Sequence, residues 1–266
     1  MPLTFESSDQ SSNQFLASLP DVLKDVQLVA TDMDGTLTRQ GRFTPILLEA
    51  LQSLQQANIP VLIVTGRSAG WVNGIVSYLP IAGAIAENGG LFFASEEDYR
   101  LTADLGNIQE HRQALATTFQ SLKDTFPNLR EALDNAFRFT DWTFDVEGLS
   151  ESDLAKLQHH CEEDGWSFTY SNVQCHIKPA GQDKAVALQK VLAESFPGIS
   201  PQSVITIGDS LNDESLFNPD VFPRSVGVAN LREVSDRLHD NPTYFTRGSE
   251  VDGFCELTQA ILAGIQ

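Results

Sequence analysis

The chain has 266 residues, of which 41% are apolar, and a formal net charge of −19. This length is enough to bury a sizeable core in one large domain or in two unequal ones. The negative charge opposes broad attraction to nucleic acid or to anionic lipid, because both of these partners need a basic surface.

Apolar runs are too short for a membrane span, which needs about 18 apolar residues, and the polar start of the chain is unlike a secretory signal. The three cysteines lie far apart and lack metal-ligand spacing. We therefore expect neither a disulfide framework nor a zinc site, and we expect a cytoplasmic protein.

The first part of the chain alternates between apolar strands and amphipathic helices. Residues 1–24 are polar and are predicted to form a loosely held extension without a chemical role. A strand is predicted from Val26, a helix follows Thr44 with Pro45 in its first turn, and residues 59–67 (IPVLIVTGR) begin as a buried strand. A helix at 69–78, a strand at 82–86 and a Gly-rich turn at 88–90 come next. This order predicts a parallel sheet.

The middle of the chain has a different pattern. Helices are predicted around residues 109–119 and 151–163. Interleaved with these helices, residues 136–146 and 166–179 carry aromatic and β-branched side chains in near-alternation, which is typical of antiparallel strands with one solvated face. We predict a small α+β insertion at about 92–180.

The strand and helix alternation then resumes. The predicted elements are a helix at 184–196, a strand at 203–208, a short helix after Asn212, strands near Ser225 and Tyr244, and a final helix from about Gly253. The predicted fold is a doubly wound α/β core with a mainly parallel sheet, formed by residues 25–91 and 181–266, with the insertion as a cap domain.

Two aspartates, Asp32 and Asp34, come directly after the first predicted strand. Extended residues two apart point the same way, so both carboxylates can face one phosphate group. Like charges this close can be stabilised by Mg²⁺, which prefers oxygen ligands and often binds carboxylates together with a substrate phosphate. Taken alone, the string is more typical of an acidic turn.

The string DMDGTLT at 32–38 does not stand alone, and it resembles the first signature of the haloacid dehalogenase superfamily. The other three signatures are matched in order by TGR at 65–67, Lys184 and GDSLND at 208–213. The resemblance implies that Asp32 is a nucleophile and Mg²⁺ ligand that forms an aspartyl phosphate. It also implies that Asp34 protonates the leaving oxygen, then deprotonates the attacking water, and binds the metal through its backbone carbonyl.

The same resemblance implies that Asp209 completes the metal site. Asp213 would be a further ligand or would orient a metal-bound water. Asn212 would bond the phosphate or the lysine. Without the other signatures, GDSLND would be interpreted as an Asp-, Asn- and Ser-rich helix start.

The second and third signatures are suited to phosphate binding. Thr65 supplies a hydroxyl, and Gly66 lets backbone N–H groups approach a phosphate oxygen. Lys184 offers a positive charge to the phosphate and to the crowded carboxylates. On its own, each of these would be a weak signal, and Lys184 would be interpreted as a solvated helix lysine.

The insertion lies between Thr65 and Lys184, which resembles the second cap class of the superfamily. With AENGG at 86–90, it is similar to the Cof-type, sucrose-phosphatase and mannosyl-3-phosphoglycerate-phosphatase branch, although the cap is short for that branch. The resemblance implies a small phosphorylated metabolite as substrate, with sugar phosphates as the leading class. Candidate substrate contacts are Arg67, Asn88, Arg138, Asn172, His176 and Lys178, each of which could instead have a turn, surface or strand-pairing role.

Two other functions remain open from the sequence. A phosphomutase or phosphotransferase of the same fold would use the same residues to pass the phosphoryl group to a sugar hydroxyl. A non-catalytic sensor of phosphorylated metabolites would also fit the fold, although the retention of both Asp32 and Asp34 favours an enzyme. The sequence predicts no particular oligomeric state.

Overall fold

The computed structural model describes residues 23, 25–171 and 173–265. In this described part, the larger sheet contains β1 (Leu28–Thr31), β2 (Val61–Val64), β3 (Gly83–Ala86), β4 (Leu91–Phe93), β5 (Tyr99–Leu101), β9 (Val204–Gly208), β10 (Ser225–Gly227) and β11 (Tyr244–Phe245). The smaller sheet contains β6 (Trp142–Asp145), β7 (Trp166–Tyr170) and β8 (Gln174–Pro179). The helices are α1 (Pro45–Gln56), α2 (Ala69–Val76), α3 (Ile108–Thr125), α4 (Glu151–Glu163), α5 (Lys184–Ser195) and α6 (Glu250–Ile265).

The larger sheet has the strand order β11-β10-β9-β1-β2-β3-β4-β5. The strands from β11 to β3 are parallel, as the sequence predicts, and β4 and β5 add an antiparallel edge. Residues 92–101, which the sequence analysis assigns to the insertion, thus include strand residues of the core sheet. The tight turn after β3 explains the difference, because a short hairpin returns the chain beside β3.

Helices cover both faces of the larger sheet, which confirms the doubly wound α/β core. In β1, Val29 packs in the cluster that includes side chains of α1, α2 and α6, whereas Leu28 and Ala30 pack on the opposite face with α5. Because both faces are covered, the central strands are continuous apolar runs rather than alternating ones.

Helix α1 shows how local sequence sets one of these layers. Pro45 occupies its first turn, where a missing N–H is tolerated. Leu47, Leu51 and Leu54 recur at helical spacing and are fully buried against the sheet. The predicted helix is confirmed over Pro45–Gln56.

The inserted segment forms the separate antiparallel sheet, in the order β6-β8-β7, with α3 and α4 packed on it. Within residues 166–179, Trp166–Tyr170 and Gln174–Pro179 form the β7–β8 pair, as predicted. Residues 136–146 form a strand only at Trp142–Asp145. Leu133–Phe137 form a 3-10 helix, and the backbone N–H groups of Phe139 and Thr140 donate to the Glu87 carboxylate instead of to a neighbouring strand. This sheet fits the predicted cap, and its limits at 92–180 stay a prediction.

No helix in the described ranges is both long and apolar enough to cross a membrane. The predicted N-terminal extension at 1–24 lies outside the described residues apart from Leu23, which is buried in the core.

Candidate active site

Three of the predicted site residues follow neighbouring strands of the larger sheet. Asp32 comes after β1, Thr65 after β2 and Asp209 after β9, and these strands lie side by side in the order β9-β1-β2. The carboxyl ends of parallel strands meet at one edge of a sheet, which is where such folds bind ligands. A cavity of about 250 Å³ opens here, and all three residues line it.

Carboxylate oxygens of Asp32, Asp209 and Asp213 lie within 4.8 Å of one another, and all three residues are buried. Burial and the charge of Asp213 raise the pKa of Asp32 from 3.8 to about 7, although Lys184 opposes the rise. Burial and the charge of Asp32 also raise the pKa of Asp209 well above its usual value. The cluster therefore carries more negative charge than the fold alone neutralises.

Lys184 is the first residue of α5 and is 1% exposed. Its Nζ lies 2.7 Å from Oδ1 of Asp32 and 2.6 Å from Oδ1 of Asp213. Burial acts to lower the pKa of Lys184, but the charges of Asp213 and Asp32 outweigh burial and hold that pKa above its usual value. Lys184 is therefore a charged ammonium shared by two carboxylates, rather than a solvated helix lysine.

Asp213 is held by the protein on both of its oxygens. Its Oδ1 accepts from Lys184, and its Oδ2 accepts from the backbone N–H groups of Asp209 at 3.0 Å and Ser210 at 3.1 Å. These bonds close the turn that starts the 3-10 helix Leu211–Phe217. The side chain of Asp213 therefore begins this helix, as one interpretation of GDSLND predicts, and also belongs to the acidic cluster.

Asp209 is positioned by residues that the sequence analysis did not single out. Thr36 donates to Oδ1 of Asp209 at 3.3 Å, and Asn230 donates to its Oδ2 at 3.1 Å. At Gly35, which has φ +82°, an added Cβ would lie 2.2 Å from Asp209 Oδ2, so the loop requires glycine for both its conformation and its closeness. Thr36 lies in the DMDGTLT string, whereas nothing in the local sequence marks Asn230.

The acidic cluster has the chemistry of a magnesium site. Three buried carboxylates face one ammonium, and unpaired buried charge is costly. Hard divalent cations bind carboxylate oxygens and so neutralise such clusters. The cluster therefore fits a Mg²⁺ site in which Asp32 and Asp209 are the carboxylate donors and Asp213 lies behind them, bonded to Lys184 and to the turn; the side chain of Asp34 is not part of this cluster.

Asp34 lines the cavity and forms a two-pronged ion pair with Arg67. Nε of Arg67 lies 2.8 Å from Oδ2 of Asp34, and Nη2 lies 2.6 Å from Oδ1. Arg67 also stacks over the ring of Trp71, with its guanidinium carbon 5.2 Å from the ring centroid. The structure thus brings two predicted site residues together as partners, which the sequence did not predict.

The predicted phosphate-binding residues surround the turn after β2. Thr65 is buried, and its Oγ1 accepts the backbone N–H of Arg67 at 3.2 Å. An added Cβ on Gly66 would lie 3.1 Å from Nδ2 of Asn88, so this backbone is closely approached. Asn212 donates to Oδ1 of Asn88 at 3.1 Å, while Nδ2 of Asn88 is buried without a hydrogen-bond partner in the described chain.

Glu87 joins the core to the inserted segment at this point. Its carboxylate accepts the backbone N–H groups of Ala69 at 2.9 Å, of Phe139 at 3.1 Å and of Thr140 at 2.6 Å. Burial raises the pKa of Glu87 from 4.5 to about 7. Glu87 therefore fixes the position of residues 139–140 relative to the core.

The inserted segment also supplies one wall of the cavity. His176 and Gln174, on β8, line it together with the turn before that strand. Arg138 and Lys178 are instead buried beside it, where Arg138 donates to the Gly66 carbonyl at 3.0 Å and Lys178 donates to the Gln182 carbonyl. The remaining predicted contact, Asn172, lies outside the described residues.

Comparison with known proteins identifies the family that shares this arrangement. A family model described as haloacid dehalogenase-like hydrolase matches residues 29–105 and 105–253. Phosphoglycolate phosphatase 1 of Saccharolobus solfataricus is 30% identical over 245 residues, which cover 90% of this chain and 97% of that protein. Phosphoglycolate phosphatase of Thermoplasma acidophilum is 27% identical over 231 residues, covering 85% and 95% of the two chains.

Solved structures share the fold. A Thermoplasma acidophilum protein superposes with a TM-score of 0.71 at 21% identity, covering 89% of this chain and 98% of its own. The sucrose-phosphatase from Synechocystis, solved with sucrose and phosphate, has a TM-score of 0.66 at 18% identity, covering 89% and 98%. The predicted resemblance to the haloacid dehalogenase superfamily is confirmed.

Proposed function

The chain belongs to the haloacid dehalogenase-like hydrolase family, and from that premise we propose that it is a Mg²⁺-dependent phosphatase of a small phosphorylated metabolite. The observation that carries the proposal is the position of Asp32. Its carboxylate contacts Lys184 at 2.7 Å, lies beside Asp209 and Asp213, and lines the same cavity as Thr65.

The reaction that we propose has two half-reactions. One oxygen of Asp32 attacks phosphorus in line with the leaving oxygen, so that an aspartyl phosphate forms and the P–O bond to the leaving group breaks. Water then attacks the phosphorus of that intermediate, which releases inorganic phosphate and restores the carboxylate. Lys184, the Thr65 hydroxyl and backbone N–H groups at Gly66 offset the charge on the phosphoryl oxygens.

Asp32, Asp209 and the backbone carbonyl of Asp34 would hold Mg²⁺, with Asp213 fixing the turn that carries Asp209. When bound, the ion neutralises carboxylate and phosphate charge, so that two anions can approach one another. Buried carboxylates and the raised pKa values of Asp32 and Asp209 support this ligand set.

Asp34 would transfer the proton to the leaving oxygen and then take one from the attacking water. It lines the cavity beside Asp32, which gives it access to both groups. Arg67 donates to both of its oxygens, so one of these two bonds must be released when the proton moves. Arg67 is then available to the bound substrate, which is the binding role predicted for it.

The cavity of about 250 Å³ suits a compact substrate. The relatives named phosphoglycolate phosphatases and the sucrose-phosphatase of similar fold both support a small organic phosphate. Sugar phosphates and phosphoglycolate are therefore the first compounds to test. Within the predicted segment 92–180, the smaller sheet with α3 and α4 would act as the cap that contacts the non-phosphate part of the substrate and excludes bulk water.

The test is phosphate release from a panel of phosphorylated metabolites, with Mg²⁺ or with EDTA. Asp32→Asn should abolish turnover with the fold retained, whereas Asp98→Asn, a change at an exposed aspartate, should leave turnover unchanged. Metal-independent release, or turnover by Asp32→Asn, would contradict the proposal. Interconversion of phosphate isomers without release would instead favour a phosphomutase.

A further inference from the structure

His176 reaches the cavity from the side of the inserted segment. It lies on β8, lines the cavity and is 2% exposed. Its Nδ1 is 2.8 Å from Oδ2 of Asp141, and its Nε2 has no partner among the residues that the structure describes. One ring nitrogen is thus fixed by the protein, and the other is left for a ligand.

Asp141 decides which nitrogen of the ring carries the proton. Its carboxylate is completely buried and accepts from Nη1 of Arg138 at 2.9 and 3.1 Å. Although burial opposes ionisation, the charge of Arg138 and the bond from His176 lower the pKa of Asp141. An ionised carboxylate can only accept, so Nδ1 of His176 must carry the hydrogen that points at Asp141.

The charges around His176 keep its ring neutral. Asp141 is the nearby anion, and Arg138 and Lys178 are the nearby cations. Burial is the main cause of a lowered His176 pKa, and both cations act in the same direction. The Arg67–Asp34 ion pair lines the same cavity and carries no net charge. With Nδ1 protonated and the ring neutral, Nε2 carries a lone pair, and the ring lines the cavity.

The position of the His176 ring relative to the turn at Thr65 and Gly66 is fixed. Arg138, which holds Asp141, also donates to the carbonyl of Gly66 at 3.0 Å. An added Cβ on Gly66 would lie 3.2 Å from Cε1 of His176, so the ring packs directly on this turn. His176 therefore lies beside Thr65 and Gly66, on the cavity wall that the inserted segment supplies.

We propose that Nε2 of His176 accepts a hydrogen bond from a hydroxyl group of the leaving group, so that the site selects phosphorylated hydroxy compounds over those with a carboxylate at the same place. The inference rests on the proposed phosphatase function. A hydroxyl satisfies the lone pair, whereas a carboxylate offers a second acceptor and is repelled by it. Among compounds of equal size, selection therefore depends on whether the leaving group carries a hydroxyl that can donate to Nε2 of His176.

The experiment compares compounds that differ only at that place. Ethyl phosphate, 2-hydroxyethyl phosphate and phosphoglycolate have the same two-carbon skeleton, and n-propyl phosphate with 3-hydroxypropyl phosphate repeats the comparison at three carbons. We expect kcat/KM to be about three- to tenfold higher for each hydroxylated compound than for its alkyl partner, as for one neutral hydrogen bond. Phosphoglycolate should fall below 2-hydroxyethyl phosphate.

Two variants at position 176 separate recognition from general damage. His176→Leu should lose the preference for hydroxylated compounds while it still hydrolyses ethyl phosphate. His176→Gln, which retains an acceptor oxygen, should recover part of the preference. A wild type that does not distinguish the alkyl and hydroxylated partners, or a preference that persists in His176→Leu, would overturn the inference.

Asp141→Asn tests the direction of the hydrogen bond. Arg138 favours the oxygen of the new amide, so the NH₂ group faces Nδ1 of His176 and moves the ring proton to Nε2. The ratio of phosphoglycolate to 2-hydroxyethyl phosphate hydrolysis should then rise about three- to tenfold. A purely structural role would change all rates alike, and an unchanged ratio in the folded variant would overturn the inference.

These outcomes differ from a failure of the proposed function. Wild-type protein that releases phosphate from none of these compounds in Mg²⁺ would contradict the phosphatase itself. Mg²⁺-dependent release that depends on Asp32 but is indifferent to His176 would leave the phosphatase intact and reject only the role of His176.

Discussion

Replacing Lys184 by Met tests whether one ammonium balances the acidic cluster. The Nζ group of Lys184 contacts Asp32 at 2.7 Å and Asp213 at 2.6 Å, and the residue is 1% exposed. Met has a similar length without the charge, so both carboxylates would stay buried without their cation. Removal of one partner from a buried ion pair costs about 3–5 kcal/mol.

The loss of unfolding free energy in Lys184→Met should be larger at high pH than at low pH. The folded-state pKa of Asp32 is about 7, above its ordinary value of 3.8, so its ionisation lowers stability as pH rises through this interval. Without Lys184 that pKa should rise further, because the ammonium is what opposes the increase. The difference in unfolding free energy between wild type and variant should therefore be larger at pH 8 than at pH 5.5.

The assay is urea unfolding in EDTA at the two pH values, followed by circular dichroism. Lys190→Met is the matched control, because Lys190 lies exposed on the same helix and, among the residues that the structure describes, donates only to the Thr102 carbonyl at 3.1 Å. This control should change stability by less than about 1 kcal/mol. We also expect Lys184→Met to lower kcat about 10²- to 10³-fold, as for loss of one preorganised electrostatic group.

Two outcomes would refute this reasoning. If Lys184→Met were as stable as Lys190→Met at pH 8, the buried carboxylates would need no cation from the protein. If the difference in unfolding free energy between wild type and Lys184→Met became smaller as pH rises, the carboxylates would not be the groups that lose their counter-charge.

Gly90→Ala should destabilise the protein by about 1–3 kcal/mol, because the new Cβ would lie 1.9 Å from Oγ1 of Thr140. Gly74→Ala is its control on an exposed face of α2, where an added Cβ meets no atom within 4 Å, and it should stabilise by about 0.5–1 kcal/mol in thermal unfolding; the reverse order would reject the packing at Gly90. A thiol reagent should label half-buried Cys255 in the native protein but reach buried Cys175, whose pKa is raised by burial, only after unfolding. Labelling of Cys175 in the native state would contradict its place in the core of the smaller sheet.

The sequence by itself determined the parallel core and the main residues of the cluster. Continuous apolar runs such as the one before Asp32 are set by burial on both faces, and the helical spacing in α1 depends on neighbours within two turns. Chemistry placed directly after a strand also depends on local order. The order of the four strings along the chain, which resembles the signatures of the family, allowed Asp32, Thr65, Lys184 and Asp209 to be predicted, and the structure brings these residues together.

The tertiary structure decided how those residues are partnered. Arg67 engages Asp34, and Asn230 reaches Asp209 from a later turn, although neither pairing leaves a periodic signal. Each depends on two loops meeting after the sheet has assembled. The antiparallel edge formed by β4 and β5 was missed for the related reason that short strands of three residues carry too little pattern.

The cavity wall that the inserted segment supplies shows most clearly what the sequence determines and what the tertiary structure adds. The aromatic alternation predicted that β7 and β8 are strands, but the register that turns His176 towards the cavity is fixed only by pairing with β6 and β7. A shift of one residue would reverse the face of every side chain on β8. Strand propensity is a local property, whereas register and the Asp141–His176 contact arise from packing between segments 35 residues apart.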